Sequence, residues 1–205
     1  MNNRFFHLLF ITLFLFFIVA CGDDTPKLPP LASDAVILAF GDSLTHGNGA
    51  KKTESYPAVL QSLSGRKVIN AGISGEESEQ GLERLPGELK KYKPQLLILC
   101  HGGNDMLRKK DMGKLESNIR QMIQLAKDKN IPVVMLGVPR PGLFLSSYEM
   151  YKKVADSTGI VFIEDLIPDV LGDNSLKSDT VHPNKDGYRV MAEKIYSVLQ
   201  DAGAL

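Results

Sequence analysis

The sequence predicts a single α/β domain, a three-layer α/β/α sandwich around a parallel sheet of about five strands. From residue 35 onward, short apolar runs alternate with segments of helical period, the pattern of strands joined by crossover helices. Runs 35–40, 96–100 and 133–138 are continuously apolar, which a strand needs when helices cover both of its faces. A chain of 205 residues suits one such core.

The first twenty residues read as an address. Arg4 precedes an apolar run, residues 8–20, whose 13 positions are too few for the roughly 20 that a spanning helix requires. Ile18-Val19-Ala20-Cys21 resembles the lipobox of bacterial lipoproteins, in which the cysteine is lipidated and becomes the N-terminus. That resemblance implies a signal peptide over 1–20, a lipid anchor at Cys21 and an exported, envelope-bound protein; a plain secretory signal is the alternative. Residues 21–34 carry Pro26, Pro29 and Pro30 with little apolar content, and read as a tether. The folded domain is then 35–205.

Along that domain, 67–71 and 160–163 are weaker strand candidates. Residues 112–130 place Leu115, Ile119, Met122, Ile123 and Ala126 on one stripe, the period of an amphipathic helix. Further helices are expected at 57–63, 79–92, 148–157 and 185–202, the last with Asn184 as N-cap and Met191, Ile195, Val198 and Leu199 facing inward. Basic and acidic residues balance at 24 each, so no basic field exists to attract nucleic acid. Cys21 and Cys100 lie in contexts too different to suggest a disulfide framework.

In sheets of this class the ligand site lies beyond the carboxyl ends of the strands, so the polar clusters just after strands matter most. Gly41-Asp42-Ser43-Leu44 follows the first strand, where a serine at a strand-to-helix turn can act as nucleophile; alone, the string serves equally as a helix cap. Asn70-Ala71-Gly72-Ile73-Ser74-Gly75 allows close backbone approach, or is simply a turn. Asn104, in Gly102-Gly103-Asn104-Asp105, can donate to a developing oxyanion. Asp179, three residues ahead of His182, can orient the imidazole while its other nitrogen faces the serine.

Ser43 in GDSL, Gly75, Asn104 in GGND, and Asp179 with His182 in DTVHP resemble, in order and context, the SGNH (GDSL) hydrolases. Gln80-Gly81-Leu82 and Arg84-Leu85-Pro86 are similar to the bacterial thioesterase/lysophospholipase/arylesterase subgroup. The resemblance covers about 36–199. It implies a flavodoxin-like fold, an ester hydrolase with Ser43 as nucleophile, His182 as base and Asp179 as its orienter, and no metal or organic cofactor. The oxyanion hole it implies comprises the Ser43 and Gly75 N–H groups and the Asn104 side chain.

Other polar residues read more simply. His46 shares the turn with Ser43 but lacks a carboxylate at triad spacing. His101 departs from the family pattern and reads as a satisfied histidine at the sheet edge. Cys100 reads as a small core residue rather than a thiol nucleophile. Asp42 and Asp105 read as local caps and turn formers, and Asp165 and Asp173 lack the spacing to His182. Met106 and Leu107, and likewise Leu143, Phe144 and Leu145, are candidates for an acyl groove, or for loop residues folded back onto the core. The expected substrate is a lipophilic acyl ester such as a lysophospholipid. A carbohydrate deacetylase of the same fold and a non-catalytic envelope lipoprotein are the alternatives.

Overall fold

A computed structural model describes residues 26–140, 142 and 146–205. Five parallel strands form one sheet: β1 (Val36–Gly41), β2 (Lys67–Gly72), β3 (Leu96–Cys100), β4 (Val133–Leu136) and β5 (Val161–Ile163), in the spatial order β2-β1-β3-β4-β5. In β1, Ile37, Leu38, Ala39 and Phe40 are all fully buried, as are all residues of β3. Consecutive burial, without alternation, means that both faces are covered.

The covering helices follow from their sequences. α2 (Tyr56–Ser64) packs on α8 (Lys185–Asp201), while α3 (Ser78–Tyr92) packs on α5 (Met112–Lys127), which also meets α6 (Glu149–Thr158). α5 begins where Asp111 Oδ1 accepts from the N–H groups of Gly113 and Lys114, at 2.7 and 3.1 Å. Its predicted apolar stripe is buried, but it stops three residues early. Asn130 takes a left-handed φ of 56° as the chain turns into β4, and the Ile131 N–H bonds back to the Ala126 carbonyl. Asn184 caps α8 as its sequence foretells, its Oδ1 accepting from Asp186 and Gly187.

Three short helices have no counterpart in the sequence reading: α1 (Ser43–His46), α4 (Gly103–Leu107) and α7 (Leu166–Gly172). Each is under about two turns, too short to display a period. The tether also needs correcting. Leu28 and Leu31 are buried, and their N–H groups donate to the carbonyls of Ala202 and Ala204. The fold therefore takes in the chain by residue 28, ahead of residue 35. Cys21 and the leader lie outside the described residues.

The strand order reverses at β1, which lies between β2 and β3. The connection that leaves β1 runs to one side of the sheet, to β2, and the one that leaves β3 runs to the other, to β4, so a crevice opens beyond the carboxyl ends of β1 and β3. The loops that follow β1, β2 and β3 all reach it. Because β3 is the central strand, Leu97→Ala should cost about 2–5 kcal/mol through lost burial and a residual cavity, read as a lower urea midpoint at unchanged slope. A cost below about 1 kcal/mol would mean that the two helical layers do not clamp the sheet as described.

Candidate active site

β1 ends at Gly41, and Asp42 starts α1 by accepting the Leu44 N–H on Oδ1 at 3.0 Å. This cap fixes the turn and sets Ser43 at the first position of the helix. From below, a bond between Thr45 Oγ1 and the hydroxyl of buried Tyr56 ties α1 to α2. Asp42 is itself buried, and desolvation raises its carboxyl above the usual range against the opposing pull of His101, the Leu44 amide and His182.

The opposite wall of the crevice is the loop before α8. Asp179 Oδ1 accepts the N–H groups of Val181 and His182, both at 2.8 Å, while Oδ2 meets His182 Nδ1 at 2.8 Å. The other ring nitrogen, Nε2, lies 3.0 Å from Ser43 Oγ. Burial favours the neutral acid at Asp179, but bonds from the His182 ring and the two amides outweigh it and hold the carboxyl below its usual range. An ionised Asp179 accepts only, which assigns the proton to Nδ1 and leaves the Nε2 lone pair facing the serine hydroxyl. A further clasp keeps the two walls in register, since the Tyr188 hydroxyl on α8 donates to the Asn48 carbonyl just after α1, at 2.7 Å.

Gly75 and Asn104 complete the crevice with Ser43. Gly75 has a φ of 79°, a conformation that side chains rarely adopt, and lies in the cleft lining. Among the described residues, neither the Ser43 nor the Gly75 N–H has an internal acceptor. Asn104 Nδ2 donates to the Glu76 carbonyl at 3.0 Å and approaches Asp42 Oδ2 at 3.5 Å. Its amide is thus held by the loop that carries Gly75. Donors from three chain segments that line one cleft can stabilise negative charge that develops there.

The cleft has an apolar wall of Leu44, Leu107, Val138, Ile167, Leu171 and Val181. Leu107 lines it as anticipated, but Met106 does not. Neighbouring helix positions point about a third of a turn apart, and Met106 is 7% exposed within the core while Leu107 is 47% exposed. Leu143, Phe144 and Leu145 lie outside the described residues, although Gly142 beside them lines the cleft. Ile167 and Leu171 come from α7, whose Pro168 and shortness hid it in the sequence. Asn48 and Arg140 at the cleft were likewise unforeseen, whereas Ser74 belongs to the Asn70–Gly75 cluster. A bond from Asn48 Nδ2 to Ser74 Oγ at 2.8 Å left no mark in either segment alone.

The remaining candidates fall elsewhere. His46 is exposed and its Nδ1 meets Asn48 Oδ1. Cys100 is fully buried, which pushes its thiol well above the usual range and leaves it a core residue. Asp173 binds Ser175, and Asp165 faces the Ser147 amide. Asp105 is not a local turn former. Its carboxylate accepts the N–H and hydroxyl of Ser78, at 2.9 and 2.6 Å, and so caps the start of α3 from the neighbouring segment after β3. His101 is not at the sheet edge, because β3 is the central strand and His101 follows it, 1% exposed.

A serine just past β1, hydrogen-bonded to an imidazole that is itself held by a carboxylate before the last helix, is the arrangement of an α/β serine hydrolase. The chain belongs to the GDSL-like lipase/acylhydrolase family, whose pattern matches residues 39–190. It is 31% identical to thioesterase 1/protease 1/lysophospholipase L1 of Escherichia coli strain K12, over 97% of this chain and 95% of that protein. An arylesterase of Vibrio mimicus is also 31% identical, over 77% of this chain and 84% of its own. The crystal structure of TesA matches with a TM-score of 0.73 at 28% identity, covering 82% of this chain and 99% of that one. The protein is a carboxylic ester hydrolase.

If Asn104 meets an oxyanion, Asn104→Ala should lower kcat on p-nitrophenyl butyrate by about two to three orders of magnitude and leave KM nearly unchanged. A rise in KM alone would instead assign Asn104 to substrate binding.

Proposed function

We propose that the protein hydrolyses lipophilic acyl esters, with lysophospholipids as the preferred class, through Ser43, His182 and Asp179. The observation that carries this reading is the continuous relay from Ser43 Oγ to His182 Nε2 and from Nδ1 to Asp179, opening into an apolar cleft. Ser43 Oγ attacks the acyl carbon and passes its proton to His182 Nε2. The carbonyl oxygen gains negative charge and is met by the Ser43 and Gly75 N–H groups and the Asn104 amide. Collapse breaks the bond to the leaving oxygen, which takes the proton from His182. Water then attacks the acyl-enzyme through the same base, releasing the acid and restoring the Ser43 hydroxyl.

Two features favour a lipophilic acyl group with an anionic leaving group. The six aliphatic side chains of the cleft suit an acyl chain better than an acetylated sugar. Among the described lining residues, Arg140 supplies the Lys or Arg charge, and its guanidinium stacks 3.8 Å over the Tyr148 ring. Stacking orients a planar donor that suits phosphate. The names of the relatives, lysophospholipase and arylesterase among them, agree with this class.

The leader adds a location to the proposal: Cys21 anchors the domain to the envelope membrane, where such substrates lie. Cys21→Ser should then shift the protein from the membrane to the soluble fraction, and retention in the membrane would rule out the anchor.

Arg140→Gln should raise KM for lysophosphatidylglycerol by about threefold, the scale of an exposed ion pair, and leave p-nitrophenyl butyrate unaffected. Equal effects on both substrates would exclude recognition of the phosphate. No turnover of any lysophospholipid, beside rapid hydrolysis of acetylated xylan, would move the substrate to sugar esters.

A further inference from the structure

One buried polar cluster lies behind the oxyanion donors. Glu76, the residue whose carbonyl holds Asn104, has a carboxylate with three donors: Arg84 Nε on Oε1 at 2.8 Å, Arg84 Nη2 on Oε2 at 2.7 Å, and His101 Nε2 on Oε2 at 3.1 Å. The Gly102 N–H donates to His101 Nδ1 at 3.0 Å, so the ring proton sits on Nε2 and points at Glu76. A neutral imidazole satisfies both contacts. At the same residue, the His101 carbonyl accepts the hydroxyl of buried Tyr151 at 2.8 Å.

We propose that His101 is a positioning residue for ester hydrolysis, acting as the strut that fixes the loop of Gly75 and Glu76 against the loop of Asn104. This rests on the assignment of Gly75 and Asn104 to the oxyanion hole. The two loops leave different strands, β2 and β3, and the sheet alone sets their backbones only at the strand ends. Beyond those ends several contacts hold them together: Asn104 to the Glu76 carbonyl, His101 to the Glu76 carboxylate, Arg108 Nη1 to the Gly75 carbonyl at 2.9 Å, Arg108 and Lys110 to the Glu77 carboxylate, and Asp105 to Ser78 where α3 begins. Arg108 is exposed, whereas the His101–Glu76 and Asp105–Ser78 contacts are buried, and of these two the histidine contact grips the residue whose carbonyl holds Asn104. Arg84 completes the clamp by donating to the Ala71 carbonyl at the end of β2, with its guanidinium 4.2 Å from the Phe40 ring centroid.

Helix α3 leaves room for this ring. Any Cβ at Gly81 would run into His101 Nε2. Burial opposes the charge on Glu76, yet bonds from Arg84 and His101 hold its carboxyl below the usual range. With His101 removed, Arg84 still balances that charge, while the Glu76 carboxylate loses its tie to the segment that follows β3.

The test is steady-state kinetics on p-nitrophenyl butyrate for His101→Leu, His101→Gln, Asn104→Ala and the His101→Leu/Asn104→Ala pair, each checked for a native circular dichroism spectrum. A strut for a transition-state donor predicts a fall of about tenfold to a hundredfold in kcat for His101→Leu, with KM within about twofold. His101→Gln, whose amide can still donate to Glu76, should recover part of the loss. In the Asn104→Ala background, His101→Leu should add less than about threefold, because the donor it positions is gone. Full multiplication of the two losses, or a change confined to KM, would overturn the proposal. If His101→Leu does not fold, Glu76→Ala gives the same readout by removing the acceptor that the strut grips, and an unchanged kcat there overturns it as well. Loss of kcat in Asn104→Ala beside a silent, folded His101→Leu refutes the strut alone, whereas an Asn104→Ala enzyme of full kcat refutes the oxyanion assignment beneath it.

Discussion

The position of β1 between β2 and β3 governs everything else in this molecule. Parallel strands need crossovers, and because the one from β1 and the one from β3 run to opposite sides, a gap opens between the loops at their carboxyl ends. Ser43, Gly75 and Asn104 each stand just past one of the three strands that border the gap. None of them is near another in sequence. What joins them to the base is the packing of α8 on α2, because the loop that opens α8 carries Asp179 and His182 over Ser43.

The apolar core and the polar site are therefore parts of one arrangement. Fully buried strands fix the backbone up to Gly41 and Cys100, and hydrogen bonds take over where the strands end. Asp42 caps α1, Asp105 caps α3 from the neighbouring loop, and Asp179 grips its own loop before it meets the imidazole. Each carboxylate binds backbone amides or a hydroxyl that would otherwise lie unpaired, so order in the loops needs no additional element. Glu76 extends that logic to a charge: three donors surround it, and its carbonyl takes a fourth.

Much of this was legible in the sequence, for reasons that can be named. Strands covered on both faces leave unbroken apolar runs, so β1 and β3 are found within a residue of their ends, and β4 was overrun by only the two residues that follow it. The family motifs lie in loops whose conformation is set locally, by Asp42, Gly75 and Asp179, which is why they stand out in a linear reading. What stayed hidden depends on partners distant in the chain. Asp105 looked like a turn former because Ser78, its partner, is 27 residues away. Leu28 and Leu31 sat in a proline-rich stretch that reads as a tether, yet the C-terminal carbonyls of Ala202 and Ala204 were waiting for their amides. α1, α4 and α7 were too short for any period, and with α7 went two residues of the apolar wall.

The central claim is that three donors from three loops converge on one point beside Ser43. A crystal structure of the enzyme inactivated by an alkyl fluorophosphonate tests it directly, because the phosphonyl oxygen stands where the substrate oxyanion would. The account predicts phosphorus bonded to Ser43 Oγ and its free oxygen within about 3.2 Å of the Ser43 N, the Gly75 N and Asn104 Nδ2. A phosphonyl oxygen turned to solvent, or an adduct on any other residue, would contradict it.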